Sequence, residues 1–124
     1  MTRVLLIGFD PAAVPGMDAA AVEGAFAHAR ERARQEAMNL IECLVKPDAT
    51  AMDQIMASLA IEPGCDFIVI GGGIRKPEPA LEFFEAVVNM VHLKAPRAVL
   101  AFNTSPADTV DAALRALRLA EQLH

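Results

Sequence analysis

The stretch that decides the fold is CDFIVIGGGIRKPEP, Cys65 to Pro79. Its first half is a continuous apolar run, and its second half starts with three glycines and ends in Pro-Glu-Pro. An apolar run without polar alternation is typical of a parallel strand that is covered on both faces. Three glycines then allow the backbone either to bend or to be approached closely by another group. The stretch predicts a buried strand, a bare loop and a helix that starts around Pro77 or Pro79.

Three other apolar runs have the same character as the run before the glycines. Segments with helical spacing of apolar residues separate the runs, so strand and helix alternate four times along the chain. The predicted strands are RVLLIGF (3–9), NLIECLV (39–45), CDFIVIG (65–71) and RAVLAFN (97–103).

Capping signals mark where the other predicted helices begin. Asp18 is a plausible N-cap of the first helix, and Thr50 followed by Asp53 resembles a capping box for the second. The sequence Ser105-Pro106-Ala107-Asp108 predicts a capped start for the last helix. The expected buried faces are Met52, Ile55, Met56 and Leu59 in the second helix and Leu81, Phe84, Val88 and Val91 in the third.

This alternation predicts an α/β fold, a three-layer αβα sandwich around a four-stranded parallel sheet. Residues 1–124 have the size of one ordinary domain, and 54% of them are hydrophobic. Right-handed crossovers favour the strand order 2-1-3-4, with the first and third helices on opposite faces of the sheet. The chain then changes direction between strands one and three, and ligands of such sheets usually bind in the crevice there.

The candidate ligand-binding residues all follow the predicted carboxyl ends of strands one, three and four. A helix that starts beside cations offers backbone donors to a phosphate or carboxylate, so an anionic ligand is one hypothesis. The alternative is that the glycines only turn the chain while Arg75 and Lys76 are solvated or paired with Glu78 or Glu82, and that Asp10 only caps the turn after the first strand. The candidates are Asp10, Gly71, Gly72, Gly73, Ile74, Arg75, Asn103 and Thr104.

Known cofactor fingerprints do not fit the glycine loop. A dinucleotide loop needs a third glycine where Lys76 stands, no Gly-Lys-Ser/Thr occurs, and residues 10–16 lack the hydroxyls of an FMN phosphate loop. The three histidines avoid the predicted strand ends, and no His/Cys/Asp cluster has metal-ligand spacing. The cofactor is therefore unknown, and neither a metal site nor catalytic residues are predicted.

Charge and cysteine usage restrict the partners and the compartment. The net charge of -5 disfavours nucleic acid, since the cationic clusters at Arg30 to Arg34 and at Arg75 with Lys76 are short. Cys43 and Cys65 lie in apolar surroundings, which favours two buried free thiols in a reducing cytoplasm. The sequence shows neither a signal peptide nor a long apolar stretch, so we expect a cytoplasmic protein without a membrane partner.

The run 65–96 followed by AVLAFNTSPADTVDAAL resembles a group of short bacterial proteins with one Rossmann-like, flavodoxin-like domain. In that group, a strand ending in I-G-x-G-I-R leads to a helix ending in V-H, and F-N-T precedes a capped helix. The resemblance covers the C-terminal half and more loosely VLLIGFD at the N-terminus. It implies the fold and both loops, and it implies no activity.

Three functions remain open from the sequence. The first is a module that binds a small anionic metabolite or nucleotide between Asp10, the loop 71–75 and residues 103–104. The second is an enzyme acting on a phosphorylated or carboxylated ligand, with Asp10 as general base and Arg75 as charge stabiliser. The third is a homodimeric interaction protein, since the open edges of a four-stranded sheet invite pairing.

Overall fold

A four-stranded parallel sheet forms the centre of the computed structural model, which describes residues 1–62 and 64–123. Its strands follow the order β2-β1-β3-β4, which confirms the predicted order, and Val4 of β1 pairs with Phe67 of β3. The carboxyl ends of β1 and β3 therefore open side by side on one edge of the sheet. The strands are β1 (Thr2–Phe9), β2 (Met38–Val45), β3 (Phe67–Ile70) and β4 (Val99–Phe102).

The described residues form five helices, and four of them cover the two faces of the sheet. Helices α2 and α4 pack with Leu5, Ile7 and Ile70 on one face, whereas α1 and α5 pack with Leu6 and Val69 on the other. The structure is thus a three-layer αβα sandwich, and the predicted placement of the first and third helices on opposite faces is confirmed. The helices are α1 (Ala19–Gln35), α2 (Ala51–Ile61), α3 (Gly72–Arg75), α4 (Leu81–Lys94) and α5 (Thr109–Leu123).

Two of the predicted helix starts are confirmed by their hydrogen bonds. Asp18 Oδ1 accepts from the backbone N–H groups of Ala20 and Ala21 at the start of α1. A capping box joins Ser105 and Asp108 in the 3₁₀ turn Pro106–Asp108, which leads directly into α5. Each arrangement satisfies donors that the first helical turn would leave without partners.

The predicted capping box of the second helix is wrong. Thr50 makes no side-chain capping bond, and its N–H and Oγ1 both donate to Asp48 Oδ1 instead. The carboxylate two residues earlier therefore organises this turn. The expected buried face is also partly wrong: Met56 is 43% exposed, whereas Ala51 is buried with Ile55 and Leu59. Pro63, expected at the end of this helix, lies outside the described residues, as does His124.

The predicted bare glycine loop is wrong in part, since it forms a short helix, and the third helix begins slightly later than its predicted start around Pro77 or Pro79. Residues Gly72–Arg75 form α3 directly after β3, a 3₁₀ turn follows at Glu78–Ala80, and α4 starts at Leu81. Pro77 has no backbone N–H, so α3 cannot continue through it. The buried positions of α4 are Val87 and Val91, with Val88 only partly buried. Leu81 is 52% exposed because it stands at the outer end of the helix, contrary to the prediction.

The apolar runs overestimated the lengths of the last two strands. The pairing of β3 ends at Ile70, since Gly71 already belongs to the turn into α3, and that of β4 ends at Phe102. Cys43 and Cys65 are free and buried, as expected. No helix among the described residues is long and apolar enough to cross a membrane.

Candidate functional site

An apolar cavity of about 440 Å³ lies beyond the carboxyl ends of β1 and β2. We call it the Phe83 cavity. The Phe83 ring stacks on the Phe9 ring with 5.5 Å between their centroids, so the two rings form a flat aromatic wall. Its lining residues are Phe9, Val14, Pro47, Asp48, Gly73, Pro77, Pro79, Ala80 and Phe83.

A second cavity, of about 310 Å³, lies over the ends of β1, β3 and β4. We call it the Phe26 cavity, and we call the two cavities together the cleft. Phe9, Val14, Gly73 and Pro77 line both cavities, which therefore share a wall. The other lining residues of the Phe26 cavity are Leu6, Gly8, Pro11, Met17, Val22, Phe26, Gly71, Gly72, Asn103, Thr104, Ser105 and Pro106.

The three glycines of the loop have different surroundings. A Cβ on Gly72 would lie 2.9 Å from the Thr104 carbonyl oxygen, and one on Gly71 would lie 3.2 Å from the Ile7 carbonyl oxygen. The protein's own backbone thus approaches both residues closely. A Cβ on Gly73 would meet only Phe9 Cδ2, at 3.9 Å, which is an ordinary contact. Packing within the protein requires a glycine at 72 but not at 73.

The backbone donors of the loop are largely engaged within the protein. The Gly72 N–H donates to Asn103 Oδ1 at 2.8 Å, and the N–H groups of Ile74 and Arg75 donate to the Gly71 carbonyl. The Lys76 N–H donates to the Gly72 carbonyl. An anion at this loop would therefore have to compete with existing hydrogen bonds.

Arg75 and Lys76 bind the chain that follows β4. Arg75 Nη2 donates to the Asn103 carbonyl at 3.0 Å, and Lys76 Nζ donates to the Thr104 carbonyl at 2.7 Å. Arg75 Nε is buried and has no hydrogen-bond partner among the described residues. Among the described residues neither cation pairs with Glu78 or Glu82. Arg75 is partly buried on the Asn103 carbonyl, whereas Lys76 is exposed to solvent, as one expectation had it, while it binds the Thr104 carbonyl.

Asn103 joins three segments at the bottom of the cleft. Its side chain is 1% exposed, it accepts from the Gly72 N–H, and its Nδ2 donates to Thr109 Oγ1 at 3.1 Å. The neighbouring Thr104 donates through Oγ1 to Asp108 Oδ2 at 2.7 Å. Partial burial of Asp108 opposes its ionisation, but the hydrogen bonds from Thr104 and Ser105 prevail and hold its pKa below the usual range. Asn103 and Thr104 thus border the cleft and also stabilise it.

The other candidates lie outside the cavity linings. Asp10 accepts from the Ala12 N–H at 3.0 Å and caps the 3₁₀ turn Pro11–Ala13, which is the capping alternative for this residue. Ile74 is 0% exposed and belongs to the core between the sheet and α4. Arg75 is directed to the Asn103 carbonyl. The structure therefore brings together Gly71, Gly72, Gly73, Asn103 and Thr104 around the Phe26 cavity.

Asp48 is the charged residue among the described residues that line the Phe83 cavity. Hydrogen bonds from the Thr50 hydroxyl and the Thr50 N–H, with a smaller contribution from Lys46, lower the pKa of its carboxyl group. The carboxylate therefore stays ionised at neutral pH, and the charge that this cavity offers to a ligand is negative.

Sequence reasoning missed the aromatic and aliphatic residues of the cleft. Phe26 and Phe83 lie on helices, where apolar side chains are normally assigned to the core, and Pro47 and Asp48 follow an edge strand. The apolar loop PAAVPGM (11–17) was a usable signal, since Val14 and Met17 have no strand or helix of their own to stabilise. Among the described residues, no group of three His, Cys, Asp or Glu side chains could hold a metal ion.

The cationic cluster on α1 is neutralised by acidic neighbours. Arg30 pairs with Glu23 and Glu42, and Arg32 pairs with Glu36 and Asp111. In the same way, Arg34 Nη2 lies 2.5 Å from Glu31 Oε1. This surface therefore presents balanced charge rather than a basic patch.

Comparison with known proteins supports the fold without supplying a function. No protein-family model matches the sequence, and no curated protein matches it. One similar solved structure is that of a "putative lipoprotein" fragment from Peptoclostridium difficile 630, which is 17% identical with a TM-score of 0.50. The similarity covers 100% of both chains. At this identity, the likeness concerns the fold alone.

Proposed function

We propose that this protein is a module that binds a small organic molecule in the cleft. The observation that carries the proposal is the pair of adjoining apolar cavities, about 440 and 310 Å³, at the carboxyl edge of the sheet, where they meet beside the end of β1. Binding sites for small molecules are concave, mostly apolar and of about 300–1,000 Å³. In parallel α/β sheets, ligands bind where the strand order reverses, which here is between β1 and β3.

The lining favours a ligand with an uncharged, ring-containing body. Aromatic, proline and aliphatic side chains form most of both cavities, and a cavity of about 150 Å³ already holds benzene in other proteins. Arg75 and Lys76 line neither cavity, and the described lining residues include no cation that could meet an anionic group of the ligand. We therefore give the apolar body, such as that of an aromatic metabolite or a nucleobase, more weight than a phosphate or carboxylate.

The fold and the compartment belong to the same proposal. The strand order 2-1-3-4 equals the first four strands of the flavodoxin-like order, so we infer a Rossmann-like domain. Two buried free cysteines suit a reducing cytoplasm, and burial raises the pKa of the Cys43 thiol, which keeps it protonated and unreactive.

Nuclear magnetic resonance on the ¹⁵N-labelled protein tests the function. A panel of uncharged aromatic fragments, aromatic carboxylates, nucleosides and nucleotides is titrated while backbone amide shifts are followed. We expect uncharged aromatic members to move the amides of Val14, Gly73 and Thr104. Shifts confined to residues outside the cleft, or no shift with any compound, would contradict the proposal.

A pair of tryptophan variants supplies the control for this titration. Val14→Trp puts a large ring into the wall that both cavities share, whereas Met56→Trp adds the same ring at an exposed position on α2. We expect Val14→Trp to abolish the shifts and Met56→Trp to keep them. A thermal unfolding measurement on each variant separates loss of the cleft from loss of the fold.

A further inference from the structure

We propose that the ligand spans both cavities with one ring-sized group in each. Because Gly73 has no side chain, the wall that the cavities share is low there, and this residue sets the length of the ligand that fits. The inference rests on the proposed function and adds the shape of the ligand and the residue that selects it. Its starting point is that Gly73 lines both the Phe83 cavity and the Phe26 cavity.

The surroundings of Gly73 show that no structural requirement explains its missing side chain. Beyond its chain neighbours and its own helix, an added Cβ would come within 4 Å of a single described atom, Phe9 Cδ2 at 3.9 Å, which is an ordinary contact. Positive φ among the described glycines occurs at Gly16, so Gly73 needs no special backbone conformation. Gly73 also lies within α3, and alanine favours a helical conformation more than glycine does. Local energetics therefore favour a side chain at 73.

A side chain at position 73 would stand in the wall between the cavities. Gly73 is exposed and shares that wall with Phe9, Val14 and Pro77, so the missing side chain leaves open space above the loop. A ligand confined to one cavity would leave this space unused. A ligand with two linked rings would pass over Gly73, with one ring near Phe83 and the other near Phe26.

Two fluorescent probes of different length test the inference. N-phenyl-1-naphthylamine is uncharged and carries two linked aromatic groups, whereas 2-naphthol carries one aromatic group. Their dissociation constants are measured by fluorescence titration for the wild type, Gly73→Leu and Gly24→Leu. Gly24 is a matched control, since it is an exposed helical glycine with no heavy atom within 4 Å of an added Cβ.

We expect Gly73→Leu to weaken N-phenyl-1-naphthylamine about tenfold or more, because a leucine in the wall overfills the space that the probe crosses. The affinity for 2-naphthol should change by less than about threefold, and Gly24→Leu should leave both affinities unchanged. Gly73→Ala, a smaller change, should give an intermediate loss and serves if the leucine variant does not fold.

The remaining outcomes separate the inference from the function on which it rests. Unchanged binding of both probes by Gly73→Leu, or an equal loss of both, overturns the two-cavity ligand while the binding function stands. A wild type that binds neither probe overturns both. A folded Gly73→Leu that loses only the longer probe supports the inference.

Discussion

The glycines of the loop 71–73 are identical residues, but their surroundings differ. Toward β4 the loop is packed: Gly72 lies against the Thr104 carbonyl, and the Asn103 amide binds its N–H. Gly71 is packed in the same way against the Ile7 carbonyl of β1, whereas Gly73 faces the open cleft beside Phe9. A close approach of the chain to itself explains the glycines at 71 and 72, whereas open space lies beside Gly73. Equal residues in one motif can therefore serve opposite purposes.

The variant that should break this comparison most severely is Asn103→Ala. It removes the buried amide, which leaves the Gly72 N–H without its acceptor and Thr109 Oγ1 without its donor. An unsatisfied buried group costs about 1–3 kcal/mol, so we expect a loss of about 3 kcal/mol in the free energy of unfolding. Urea denaturation measures it. Asn89→Ala, at an exposed position of α4, should cost less than about 0.5 kcal/mol. Equal losses in the free energy of unfolding for the two variants would show that the Asn103 amide does not stabilise the loop.

The pair Gly72→Ala and Gly73→Ala sharpens the comparison within the loop. A methyl group at 72 would lie 2.9 Å from the Thr104 carbonyl oxygen, and backbone cannot rotate away as a flexible side chain could. We therefore expect a loss of about 2 kcal/mol in the free energy of unfolding. The same methyl group at 73 should leave stability unchanged or raise it by up to about 1 kcal/mol, since alanine favours the helix. Thermal unfolding of both variants decides this. Similar losses at the two positions would show that the whole loop is packed.

The smallest expected effect concerns Asp108, which holds the loop after β4. Its folded pKa is lowered, so its ionised form stabilises the protein above the ordinary aspartate pKa of about 4 and loses this effect as pH falls through the folded value. We expect Asp108→Asn to cost about 1 kcal/mol at pH 7 and progressively less below pH 4. Urea denaturation from pH 7 to 3 follows the difference.

The exposed Asp53 provides the reference for this titration. Asp53→Asn should show a small difference from the wild type at pH 7, because its carboxylate makes no comparable set of hydrogen bonds. If the Asp108→Asn difference stays constant down to pH 3, ionisation of Asp108 is not what stabilises the loop.

The sequence was sufficient for the sheet but not for the site. Continuous apolar runs and helical spacing determine which segments pair, and right-handed crossovers leave few strand orders, so the order 2-1-3-4 could be predicted. Cap residues act through neighbours in the chain, which is why Ser105 and Asp108 were predicted correctly. Asp48 shows the limit, since it binds Thr50 where a different local bond was expected.

The cleft depends on contacts between residues far apart in the chain. Arg75 binds the Asn103 carbonyl, 28 residues away, because β3 pairs with β4, and no acid near Arg75 in the sequence indicates this partner. The Phe9 and Phe83 rings, one at the end of β1 and the other on α4, are also far apart in the chain. A pattern of residue types gives no distance between such groups, so it could name the loops of the cleft but not their partners.

The short connection between α1 and β2 contains a strained residue, and its position matters for ligand binding in the cleft. Among the described residues, Ala37 is the non-glycine residue with positive φ, 53°, a conformation that costs alanine about 1 kcal/mol. It immediately precedes β2 and so lies at the amino edge of the sheet, opposite the cleft. Strained backbone conformations are often found at functional sites. Here the strained residue lies at the far end of the sheet, so binding of a ligand in the cleft, as proposed, would not need to relieve it.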